Sequence, residues 1–145
     1  MGRAVPFVQA DIFTTRAFAG NPAGAVLDAD GLDEAEMGRI AAEMRLAGTC
    51  FVARATKAGA MYRLIYRSPT REIPYSGHTT LGGVHALLEA GRLGPGEALF
   101  DTAVGLLPAT VGPGRLGAVA GLGYGLAVFA LLNRAMRRVD AGALG

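Results

Sequence analysis

The run Glu72-Ile73-Pro74-Tyr75-Ser76-Gly77-His78-Thr79-Thr80 gathers the groups of this chain best suited to chemistry. The segment Thr79 to Ala90 has the length and apolar content of a helix, and Gly91 stands where a C-terminal glycine ends one. His78 therefore falls at a helix N-terminus, where unpartnered backbone N–H groups and the positive end of the helix dipole suit a carboxylate. Gly77 lets a ligand approach the main chain. His78 can move a proton or donate a hydrogen bond near neutral pH. A plainer reading stands beside this one, in which a single unpaired histidine does no more than cap its helix.

Three other features invite a chemical reading and each has a simpler one. Cys50, the single cysteine, lies in a β-type run beside Phe51 and Val52 with no cationic neighbour, so it reads as a small buried hydrophobe. One cysteine also excludes an internal disulfide and a cysteine-based zinc site within one chain. His85 follows His78 by two helical turns, whereas a metal pair prefers a spacing of three or four, so His85 reads as a core residue and no metal is expected. The stretch Gly112-Pro113-Gly114-Arg115-Leu116-Gly117 matches a dinucleotide fingerprint. Too little chain follows it to build a doubly wound sheet, and among 22 glycines a chance match is the better explanation.

The elements that must position the Gly77-His78 corner are legible on both sides of it. Val5 to Phe13 reads as a strand, Gly20-Asn21-Pro22 as a turn, and Ala25 to Asp28 as a short second strand. Asp33 and Glu36 form a capping box, and Met37, Ile40, Ala41 and Met44 follow at helical spacing, which predicts a surface helix with one buried stripe. Thr49 to Ala55 and Met61 to Ser68 read as a hairpin. Leu81, Val84, Ala86, Leu87 and Leu88 cover nearly the whole circumference of the second helix, so it must be buried on most sides. A sheet curled around it, with late strands at Ala98 to Thr102 and Leu106 to Val111, is the simplest arrangement that buries it, and the fold class is α+β.

Composition bounds the partners. With 51% hydrophobic and 18% charged residues the 145-residue chain is globular and has room for one ordinary domain. The net charge of +2 arises after Arg115, where Arg134, Arg137 and Arg138 oppose only Asp140. The arginines are scattered and form no stripe, so no nucleic-acid partner is expected. The N-terminal residues Met-Gly-Arg-Ala-Val-Pro carry no targeting signal, and a reducing cytoplasm is the expected setting. Residues 116–132 hold no charge, and Gly117, Gly121 and Gly125 repeat a spacing used between membrane helices. At 1.5 Å per residue such a helix is about 25 Å long against roughly 30 Å of hydrocarbon, so membrane anchoring is a marginal alternative.

The segments Asp11-Ile12-Phe13-Thr14, Gly20-Asn21-Pro22-Ala23, Glu43-Met44-Arg45-Leu46, Phe51-Val52, Ser68-Pro69, Glu72 to Gly82 and Asp101-Thr102 with Gly105-Leu106-Leu107 share order and spacing with one family. In them the chain resembles the PhzF-like phenazine-biosynthesis isomerases to about Val111. The resemblance implies one half of a diaminopimelate epimerase-like fold, a sheet wrapped around a central helix, with the active site in the cleft facing a second, similar half. It implies a proton shift on a small cyclic carboxylated substrate, no cofactor, and homodimers of the kind common in the family. Ser76, Gly77, His78 and Thr79 are then the substrate-binding residues. The family's catalytic glutamate follows the Leu46 position in a Ser-Glu-Thr-like run, and here that run reads Ala47-Gly48-Thr49, leaving Gly48 in its place. The Asp-Pro-x-Thr-Gly-Ser-like corner of the second half has no counterpart in the chain.

These readings divide the chain into a PhzF-like domain over residues 1–112 and an out-of-family, helical Gly/Ala/Leu-rich tail over 113–145. An interruption of the reading frame or gene after about Arg115 explains such a tail. The function expected is a truncated isomerase without its base; the alternatives are a non-catalytic remnant or small-ligand-binding domain and, further off, a membrane-anchored module.

Overall fold

The computed structural model describes residues 3–14, 16 and 18–112, together with the backbone of 118–120, 128–132 and 137–140. Among the described residues ten strands form one mixed sheet: β1 (Ala4–Ile12), β2 (Asn21–Val26), β3 (Thr49–Arg54), β4 (Tyr62–Arg67), β5 (Glu72–Ile73), β6 (Gly96–Thr102), β7 (Gly105–Val111), β8 (Ala118–Ala120), β9 (Val128–Leu132) and β10 (Arg137–Asp140). The helices are α1 (Glu34–Met44), between β2 and β3, and α2 (Gly77–Glu89), between β5 and β6. The pairs β2–β3 and β4–β6 are parallel and the remaining pairings antiparallel. Each parallel pair requires a crossover, and each crossover here contains a helix.

The two helices part on opposite faces of the sheet. Along β3, Cys50 and Val52 pack with Leu81, Val84, Ala86 and Leu87 of α2, while Phe51 packs with Met37, Ile40 and Ala41 of α1. The two-residue period of a strand thus serves two cores from one segment. Every residue of α2 from Thr79 to Leu87 is buried, as the all-round apolar composition requires. The sheet curls around this helix and closes on itself, because the free edge of β1 takes β9 at residues 10–12 and β10 at residues 4–7. Gly82 and Gly83 allow the close approach: a Cβ on Gly82 would meet that of Ala23 at 2.9 Å, and one on Gly83 would meet Cys50 Sγ at 2.6 Å.

The capping box of α1 is present on both sides. Asp33 Oδ1 accepts from Glu36 N–H at 2.7 Å, and Glu36 Oε2 accepts from Asp33 N–H at 2.9 Å. Two local expectations change. Gly20-Asn21-Pro22 is not wholly a turn, since β2 begins at Asn21 and Pro22 pairs with Asp11; a proline is tolerated at a strand's start. The helix expected in the tail is replaced in the described residues by Ala118–Ala120, Val128–Leu132 and Arg137–Asp140, all strands. An apolar run does not by itself separate helix from strand, and here the open edges of β7 and β1 supply hydrogen-bond partners that favour strand. Residues 113–117 and 121–127, which include most of the dinucleotide-like match and of the glycine spacing, lie outside the described residues. Among the described residues no helix is long and apolar enough to cross a membrane.

Candidate functional site

α2 opens inside a knot of hydroxyls. Ser76 is its N-cap in extended conformation, and its side chain makes no capping hydrogen bond. The Ser76 hydroxyl instead donates to Thr79 Oγ1 at 2.8 Å and lies 3.3 Å from His78 Nδ1. The first intrahelical bond runs from Thr80 N–H to the Ser76 carbonyl at 2.9 Å, so the amides of residues 77 to 79 precede the helical ladder. A second anchor comes from the sheet. Thr80 Oγ1 donates to the Ser76 carbonyl at 2.7 Å and sits 2.8 Å from the hydroxyl of buried Tyr66 on β4. Tyr66 therefore fixes the turn from the sheet side, a link that sequence spacing does not reveal.

His78 is half-buried, and its Nε2 is shielded from solvent without a partner among the described residues. Burial holds its pKa below the ordinary histidine value, so the ring is neutral at pH 7. A neutral imidazole, free amides and the helix dipole together form a corner that can hold a carboxylate and exchange a hydrogen bond with it or with a neighbouring group.

Gly48 lies against this turn. Its carbonyl accepts from Gly24 N–H at 3.0 Å, which ties it to β2. A Cβ at residue 48 would collide with Thr79 Oγ1 and lie 3.2 Å from Thr79 Cβ. Position 48 and the first turn of α2 are thus brought together from distant parts of the chain, and the Thr79 hydroxyl fills the space that a side chain at 48 would enter.

The remaining candidates fall away from the corner. Glu72 is half-exposed and pairs across the strands with Arg67, on the face opposite α2, at 3.9 Å between Oε2 and the guanidinium. Cys50 is fully buried beneath Gly83, and desolvation pushes its thiol pKa far up, so it stays a neutral packing group. His85 is buried in α2, with neither ring nitrogen partnered among the described residues and its pKa lowered by desolvation. No cluster of metal-ligating side chains occurs among the described residues.

Comparison with known proteins gives this geometry a context. Residues 10–123 match the family described as phenazine biosynthesis-like protein, a match that runs past Arg115, where the sequence resemblance was expected to fade. The trans-2,3-dihydro-3-hydroxyanthranilate isomerase of Pseudomonas chlororaphis is 39% identical over 82 residues, 56% of this chain and 29% of the relative. A Bacillus anthracis phenazine biosynthesis protein of the PhzF family superposes with a TM-score of 0.72 at 37% identity, covering 81% of this chain and 39% of that one. A hydroxyproline epimerase from Agrobacterium vitis shares the fold at 16% identity, with a TM-score of 0.64 over 81% of this chain and 41% of its own. The chain spans well under half the length of these relatives. On the match over residues 10–123, the chain belongs to the phenazine biosynthesis-like family.

Proposed function

We propose that this chain is a PhzF-like isomerase domain that binds a small cyclic carboxylate at Ser76, Gly77, His78 and Thr79 but lacks the base for the family's proton shift. The substrate carboxylate sits on the amides that open α2, beside the neutral ring of His78. The observation that carries the reading is the contact between Gly48 and Thr79. The position that the family resemblance gives to a glutamate is packed against the turn holding His78, and here a hydroxyl occupies its space. Removing a positioned general base lowers a rate by about 10²- to 10⁴-fold. Residues 1–112 supply one wall of the cleft, and turnover in this family also needs the wall contributed by the second half.

Calorimetric titration with 3-hydroxyanthranilate, run beside an isomerase assay, tests this function. Binding without turnover, lost in His78→Ala, is the expected result. Turnover at a rate typical of the family, or binding that survives His78→Ala, overturns it. The isomerase names of the relatives favour full activity as the second reading, and the same assay decides between the two.

A further inference from the structure

A serine hydroxyl carries one proton. In Ser76 that proton is committed to Thr79 Oγ1 at 2.8 Å. Toward His78 Nδ1, 3.3 Å away, Ser76 Oγ is then able only to accept. The hydrogen of the neutral ring must lie on Nδ1, which leaves Nε2 as a bare lone pair. Nε2 is also the ring atom shielded from solvent and without a partner among the described residues. Nε2 is covered in this structure, so a ligand's donor reaches it only once the covering atoms shift, and the cost of an unsatisfied shielded acceptor favours that contact.

We infer that Ser76, oriented by Thr79, is a positioning residue that locks His78 in the Nδ1–H tautomer and so presents Nε2 as an acceptor for an O–H or N–H of the ligand. The identity of that donor rests on reading the corner as a carboxylate site; the tautomer does not. The arrangement gives Thr79 two duties in one place: its hydroxyl fills the space beside Gly48 and accepts the Ser76 hydrogen bond.

The chain has two histidines, so long-range proton–nitrogen correlation spectra of the ¹⁵N-labelled full chain at pH 7.5 resolve both rings. His78→Gln identifies the His78 signals by their loss. The expected wild-type spectrum has a protonated Nδ1 and an unprotonated Nε2. Ser76→Ala and Thr79→Val should each lower the ratio of Nδ1–H to Nε2–H by about three- to tenfold, the worth of one hydrogen bond. Ser76→Thr, which keeps the hydroxyl, should preserve the ratio. A wild-type proton on Nε2 overturns the proposal without any variant having to fold, and so does a ratio unchanged in both Ser76→Ala and Thr79→Val. Calorimetric binding of 3-hydroxyanthranilate together with an Nε2 proton sinks the tautomer alone. An Nδ1 proton without binding sinks the carboxylate site alone.

Discussion

At the scale of single residues, the contact between Gly48 and Thr79 has a cost that can be measured. Gly48→Ala forces a methyl into the Thr79 hydroxyl, and overpacking of this kind destabilises by about 1–3 kcal/mol. Chemical denaturation should show that loss, and in a Thr79→Ala background the cost should shrink, giving a clear coupling in a double-mutant cycle. Additive effects would mean that the two positions do not touch. The place of Gly77 and His78 at the start of α2 is legible in sequence because their types and the apolar run that follows have a local meaning. The Gly48–Thr79 and Tyr66–Thr80 contacts were not, because each depends on where β3 and β4 lie against α2. The absence of a side chain at residue 48 could be read directly, whereas what fills its space could not.

At the scale of elements, the structure follows its local signals where those signals are chemical. The capping box at Asp33 and Glu36 starts α1, and Asp33→Ala should cost about 1 kcal/mol in denaturation midpoint analysis with the slope unchanged. Because α1 packs on the face of the sheet away from α2, the same substitution should leave the proposed ligand binding at His78 intact. A loss of binding would show that the two faces are coupled. α2 was recognisable from its lack of a polar face. β5 leaves no signal in the sequence because two residues, Glu72 and Ile73, are too short a run to show a period. Within the described parts of the tail, alanine, leucine and glycine without polar punctuation fit either period, and strand identity there comes from partners supplied by β1 and β7.

At the scale of the molecule, Asp101 joins parts of the sheet that the chain order separates. Its buried carboxylate accepts from Thr56 N–H at 3.0 Å and Thr56 Oγ1 at 2.5 Å, and it faces Lys57 and Arg63, each at 3.4 Å. The Thr56 hydroxyl bond first, then its amide and the nearby cations, pull the Asp101 pKa down to about 2. A carboxyl whose folded pKa lies below its unfolded value of about 3.9 stabilises the fold above that value. That contribution is lost as pH falls toward the folded pKa, so stability should decline between about pH 4 and pH 2. Asp101→Asn should cost about 1.5–3 kcal/mol at pH 7, the range for hydrogen bonds to a charged group, and should flatten the acid limb of a stability–pH profile. An unchanged acid limb would assign the decline to other carboxylates.

The closing seam between β1 and β9 joins residues 10–12 to residues 130–132. A ribosome therefore releases the first strand long before it makes the strand that covers its second edge. Until residues 130–132 emerge, the nascent chain carries an unsatisfied row of amides and carbonyls along that edge, and ring closure waits for them. Refolding should have a slow final step, and crowding several chains together before that step should favour edge-to-edge association over the intramolecular seam.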